Sequence, residues 1–170
     1  MERDFQEIDN LLNTINESCN ELRKYINIPK HQDMLMKNSE KWNILCSSLG
    51  TIEDATSAIR GYIILPESET DEIKYLALYG LLQSAVLQQD TLKHLYKILC
   101  CREYALTPDL KYIRDIRIKV AGHPAYVRNT KDSNILPRIL ISKKFFTIVT
   151  YSGKKVISKE IQVIEILNKQ

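Results

Sequence analysis

Apolar residues recur at steps of three and four along the first stretch of the chain: Phe5, Ile8, Leu12, Ile15, Cys19, Leu22 and Ile26. That spacing puts them on one side of a helix and predicts an amphipathic helix over residues 3–26. Residues 27–37 are polar, contain Pro29 and His31, and read as a connection with His31 a solvated loop histidine. The three-four step returns in Trp42, Leu45, Leu49, Ile52, Thr56, Ile59 and Ile63. A second long helix therefore begins near Asn38 or Ser39, either of which can cap its first turn. Gly50 lies inside it and is expected to weaken or slightly bend it.

An acidic loop follows Pro66, and Ser68 or Thr70 can cap a third helix over 71–100. Between Ile73 and Leu87 this helix is apolar on nearly every face, through Tyr75, Leu76, Leu78, Tyr79, Leu81, Leu82, Ala85 and Val86. A helix apolar all round is buried on all sides. Two or three neighbours in a small bundle do not cover every face. The pattern points either to a second protein chain or to cover from the C-terminal strands. A short fourth helix starts at Pro108, buries Leu110, Ile113, Ile116 and Val120, and ends where Gly122 supplies a left-handed cap and Pro124 blocks continuation.

Beyond the polar loop 129–134 the period changes to that of strands. Residues 138–142, 145–151 and 154–158 read as three strands, turned by Lys143-Lys144 and Ser152-Gly153. Ile161, Ile164, Ile166 and Leu167 suggest a last short helix. The expected fold is mainly α. An up-and-down helical bundle over about 1–125 is followed by a small antiparallel β-meander and terminal helix over about 137–170, as one domain spanning 1–170.

Composition narrows the class. At 44% hydrophobic over 170 residues, the chain can bury a core without disulfides or metal. Five glycines and five prolines argue against a Gly-rich nucleotide fold, and no phosphate-cradling glycine motif occurs. The charged N-terminus has no signal-peptide pattern, and no apolar run reaches membrane-spanning length, so a cytoplasmic protein is expected. Cys19, Cys46, Cys100 and Cys101 lack metal-binding spacing and read as free thiols of a reducing compartment. Neither metal nor cofactor is implied. The net charge of +3 permits nucleic-acid binding without announcing it, and the bases concentrate after Lys111.

The chemically informative segment is 112–125, around Arg117 and His123. Arg117 borders the apolar stripe of the fourth helix, and His123 follows Gly122 just past its end. The pair suits RNA cleavage without metal. A histidine titrating near neutrality can take a proton from the 2′-hydroxyl or give one to the leaving oxygen. A guanidinium can hold two phosphate oxygens while charge builds on phosphorus. The nucleophile belongs to the substrate. The same two residues also have plain structural uses, Arg117 in bridging a carboxylate and His123 in completing a helix cap.

The segment 117–123, an arginine and a histidine separated by five residues, resembles the signature of the HEPN superfamily. So do the segments beginning Lys41-Trp-Asn-Ile-Leu-Cys, Glu53-Asp-Ala-Thr-Ser-Ala-Ile and Tyr79-Gly-Leu-Leu-Gln-Ser, and the similarity covers most of the chain from about Trp42. The resemblance implies a helical bundle that dimerises and brings two Arg…His motifs into one cleft. It implies a metal-independent endoribonuclease of a bacterial defence or stress system, of the abortive-infection or toxin–antitoxin kind, with Arg117 and His123 catalytic. An acid from another element would orient the arginine. Glu53 and Asp54 are candidates, as are Asp115 and Asp90. Arg114, Lys119 and Arg128 are candidates for substrate contacts, and Gln83, Gln88 and His94 for lining a dimer cleft. Expected partners are a second copy, RNA, and an antitoxin or other protein. One departure stands out: active members commonly carry a polar residue after the arginine, and this chain has Ile118. That departure favours the alternative, a non-catalytic binding and dimerisation module of the same type. A helical scaffold with no nucleic-acid role is the third class.

Overall fold

The structure, a computed structural model, describes residues 2–122, 132–137 and 140–170, with side chains described from Phe5 onward. Packed helices form most of it, followed by a three-stranded antiparallel sheet and a short helix.

Helix α1 spans Glu2–Ile26 and buries Ile8, Leu12, Cys19 and Ile26 from the predicted seam. A short helix α2, Pro29–Met36, then occupies the stretch expected to be irregular. Pro29 fits its first turn because that position needs no N–H. No side chain caps it, and none of its residues is buried, so it lacks the periodic face by which a helix is recognised. Leu35 still packs partly on the neighbouring core. His31 lies on this helix, its ring 4.1 Å from that of Tyr25 and its Nδ1 3.0 Å from the Tyr25 carbonyl oxygen.

Helix α3, Ser39–Ile64, is capped by Asn38, whose Oδ1 accepts from the Lys41 N–H at 2.9 Å. It runs uninterrupted through Gly50. Helix α4, Asp71–Cys100, is capped by the Thr70 hydroxyl and closed by Cys101 in the left-handed region at φ 55°. Helix α5, Pro108–Arg117, is capped by Thr107. Its continuation, Ile118–Gly122, widens into a π-helical turn. Gly122 does not take the expected left-handed conformation. Among the described glycines only Gly153 has positive φ. The helix end is reshaped by widening rather than by reversal. Pro124, expected to stop the helix, lies outside the described residues.

The meander has strand order β1-β2-β3. Its first strand is β1, Asp132–Ile135, which begins inside the stretch read as a polar loop and runs one residue past it. The predicted strand 138–142 is represented only by an isolated bridge between Ile141 and Phe146, with 138–139 outside the described residues. Asp, Ser and Asn disfavour strands by themselves. Here the backbone ladder of β2 decides, pairing Asp132 with Ser152 and Ile135 with Val149, and Asn134 Oδ1 accepts from Thr150 Oγ1 at 2.8 Å. Strand β2, Phe145–Ser152, turns through Gly153 at φ 58° into β3, Lys155–Gln162. The third strand thus outlasts its predicted end at Ser158, and Ile161 belongs to it rather than to the final helix α6, Val163–Lys169.

One apolar cluster unites helices and sheet: Ile59 of α3, Leu78, Leu81 and Leu82 of α4, Ile113 of α5, Phe146 and Ile161 of the sheet, and Ile166 of α6. Each such side chain contributes on the order of 1.5–3 kcal/mol when fully removed from water. A smaller cluster joins Cys19, Ile26, Leu45, Leu49, Ile52 and Leu95. Tyr62 is buried between α3 and the sheet and donates its hydroxyl to the Lys143 carbonyl at 3.1 Å. That burial raises its phenol well above the ordinary range.

The all-round apolar stretch of α4 is only partly covered. Leu78, Leu81, Leu82, Ala85 and Val86 face the core, while Ile73, Leu76 and Leu87 remain 41%, 72% and 38% exposed. No described helix is long and apolar enough to cross a membrane.

Candidate functional site

Helix α5 is two to three turns long and buries Leu110, Ile113 and Ile116. Val120 of the π turn continues that face. The burial fixes its rotation against α4 and aims both of its arginines at that helix. Arg117, at the end of α5, donates from Nε and Nη2 to the Gln83 side-chain oxygen, at 3.0 and 2.8 Å. Its other terminal nitrogen, Nη1, lies beside Gly122, so close that a Cβ built on that glycine would stand 3.4 Å away. The guanidinium is therefore clasped along one edge by an amide and rests against the last residue of the π turn. The next residue in sequence is His123, which lies outside the described residues, as does Arg128.

Arg114, one turn earlier, is in a different state. It donates from Nε to Gln89 Oε1 at 2.8 Å and forms an ion pair through Nη2 with Asp90. Gln89 continues into an amide chain that is buried at Gln89 and Gln88 and passes through exposed Gln170. Its Nε2 donates to Gln170 Oε1 at 2.9 Å, Gln170 donates to Gln88 Oε1 at 3.1 Å, and Gln88 donates to the Thr56 hydroxyl at 2.8 Å. Arg114, expected to contact substrate, is thus an anchor of α5 on α4, and Asp90 neutralises it rather than orienting Arg117.

The other expected residues disperse. Glu53 makes a two-pronged ion pair with Arg23 of α1, at 3.0 and 2.6 Å, which holds its carboxyl below the usual range. Asp54 stands exposed on α3. Neither meets Arg117, whose partner among the described residues is Gln83. Asp115 and Lys119 share a small cleft on the sheet side of α5 with Tyr112 and Lys159. Gln88 is buried in the amide chain, at the floor of hollows lined also by Ile15 and Gln170 and away from Arg117. His94 is exposed, in a hollow of about 410 Å³ with Lys41, Lys97 and Arg102. It is eleven residues beyond Gln83 on the same helix, about 16 Å at the helical rise, and does not join Arg117.

Two residues enter that the sequence reading did not connect with the motif. Tyr75, Tyr79 and Gln83 fall at successive steps of four on α4 and form one row. The two phenol oxygens are 2.5 Å apart, with the rings edge to face. Burial, with Tyr75 adding to it, pushes the Tyr79 hydroxyl up to about 12, so it stays a neutral donor at physiological pH. The row's spacing was visible in the sequence, but its link to Arg117 was not.

No three His, Cys, Asp or Glu side chains converge in a metal-binding group among the described residues. Comparison with family models, with curated proteins and with solved structures finds no match, so the reading of this site rests on its own residues and their geometry.

Proposed function

We propose that this chain is a HEPN-type, metal-independent endoribonuclease of a bacterial defence or stress system, acting as a homodimer. The observation that carries the reading is the state of Arg117. An arginine used only to brace a fold is expected on a carboxylate, as Arg114 is on Asp90. Arg117 instead rests on a neutral amide, so none of the described residues cancels its charge. Its geometry is fixed in advance of any phosphate, and such preorganised charge stabilises a transition state at little reorganisation cost.

In the proposed reaction the substrate's 2′-hydroxyl attacks the adjacent phosphorus. The bond to the 5′-oxygen breaks, leaving a 2′,3′-cyclic phosphate. His123 moves the proton, and Arg117 stabilises the added negative charge on the non-bridging oxygens. The test is incubation of purified protein with single-stranded RNA in EDTA. Expected products carry 2′,3′-cyclic phosphate ends, and a 2′-deoxy sugar at the cut site blocks cleavage. His123→Ala should slow the reaction by about 10²–10⁴-fold. Arg117→Ala should abolish it, and Arg117→Lys should not restore it, since an ammonium cannot make the bidentate contact. Intact RNA after incubation with wild-type protein, with or without added metal, would refute the enzyme.

One observation favours a second reading, a binding module of the same type. Ile118, directly after Arg117, is 42% exposed and apolar where active HEPN members commonly carry a polar group. RNA bound but never cut would support that reading.

A further inference from the structure

We propose that the cleft between α5 and the β2–β3 hairpin is a second phosphate-binding site, which holds a single RNA strand after it crosses α5 from Arg117. The proposal rests on the ribonuclease reading and extends it to how the substrate lies.

The cleft measures about 100 Å³, and Ile116 and Ile148 are among its apolar lining. That is well below the roughly 300 Å³ at which pockets for whole small molecules begin, and suits a single phosphate better. Two lysines line it, Lys119 from the π turn and Lys159 from β3. Lys159 is held by Tyr112, with Nζ 4.9 Å from the ring centroid and donating to the phenol oxygen at 3.2 Å. Lys169 approaches the same ring at 5.6 Å and is neutralised by Asp109 at 2.5 Å. Neither Lys119 nor Lys159 forms an ion pair with a carboxylate among the described residues. Asp115 lines the cleft too, so its lining carries two basic residues and one acidic one.

Placement then selects the ligand. Arg117 and Lys119 are two residues apart on a helical turn and so emerge on opposite flanks of it. A strand joining them crosses about 10–12 Å, the width of a helix. On the ridge between the flanks sits exposed Ile118, an apolar surface against which an unstacked base or a ribose can rest. The residue that departs from the pattern of active HEPN members then acquires a role in seating the strand.

The test uses a fluorescent 2′-O-methyl RNA, which lacks the attacking hydroxyl, with binding followed by anisotropy across a salt series. Each phosphate contact on a single strand contributes about 0.7 to the slope of log affinity against log salt. Lys119→Gln combined with Lys159→Gln should weaken binding several-fold and flatten the slope by about 1.4. Lys119→Arg with Lys159→Arg should retain it. Lys30→Gln on α2 with Lys37→Gln at its C-terminal cap changes net charge equally and should leave the slope alone, and thermal melting confirms that each variant is folded. If wild-type protein binds and cuts RNA but the Lys119/Lys159 slope is unchanged, or the Lys30/Lys37 pair flattens it as much, the cleft proposal is overturned and the ribonuclease reading stands. If wild-type protein binds no RNA, both fall.

Discussion

The Gln83 side-chain oxygen accepts both an Nε–H and an Nη2–H of Arg117, joining α4 to the end of α5 across 34 residues of sequence. This amide, rather than an acid, aligns the guanidinium while leaving its charge available. Gln83→Glu keeps the size and places a carboxylate on the arginine. The variant should fold as wild type and lose RNA cleavage, because the charge meant for phosphate is cancelled internally. Gln83→Leu removes the clasp without adding charge, and should reduce cleavage while retaining RNA binding. Parallel cleavage and binding measurements decide between these outcomes. A Gln83→Glu protein that cuts RNA at the wild-type rate would show that Arg117 is not the phosphate-stabilising group.

Ile118 offers a second test. Ile118→Asn places an amide beside Arg117 at an exposed position, where a substitution changes stability by about 0.5 kcal/mol or less. If the isoleucine is what holds catalysis back, cleavage should rise in this variant while melting temperature stays put. A fall in cleavage with weaker RNA binding would instead support strand seating by Ile118.

Assembly is tested on α4. Ile73, Leu76 and Leu87 are exposed apolar side chains on one helix. An exposed apolar stripe marks an association surface, and a two-fold dimer is its simplest closed solution. Light scattering at micromolar concentration should report a dimer, and Leu76→Lys should shift it to monomer without unfolding it. A wild-type monomer under these conditions would contradict the proposed shared cleft.

The Arg23–Glu53 pair sets an acid limit on the α1–α3 contact. Arg23 lowers the Glu53 carboxyl below its usual value. A depressed acid contributes stability that is fully present above its unfolded pKa of about 4.3 and is lost as pH falls through the lower folded value. Glu53→Gln should therefore destabilise the protein at neutral pH and flatten this part of the acid-melting curve. RNA cleavage should be spared, since Glu53 is engaged with Arg23 and not with Arg117. A selective loss of cleavage in this variant would restore Glu53 to the site.

How far the sequence could be read depended on how local each signal was. The seams of α1 and α3 and the turn at Gly153 depend on neighbours within a few residues, and spacing alone revealed them; of the paired cap candidates the structure uses Asn38 and Thr70, and it adds a cap at Thr107 that the sequence reading had not named. Helix α2 carried no periodic face, so its two turns were invisible. Strand β1 is made of residues that disfavour strands, and it exists because β2 offers it a ladder. A partner of that kind is supplied by the fold and has no trace in the strand's own composition.

The site divides the same way. The sequence by itself determined that Arg117 would lie near the end of a short amphipathic helix, beside its apolar stripe and shortly before His123, because helical periodicity assigns faces without knowledge of any neighbour. Only the tertiary structure decided what each charged group would meet. It put Gln83 against Arg117, Asp90 against Arg114 and Arg23 against Glu53. These are contacts between different helices, chosen by how α1, α3, α4 and α5 pack against one another. Several acids were chemically able to face Arg117, and nothing in their spacing along the chain could rank them. The packing of Ile113 and Ile116 against α4 fixed the rotation of α5, and with it which arginine found a carboxylate and which was left with an amide.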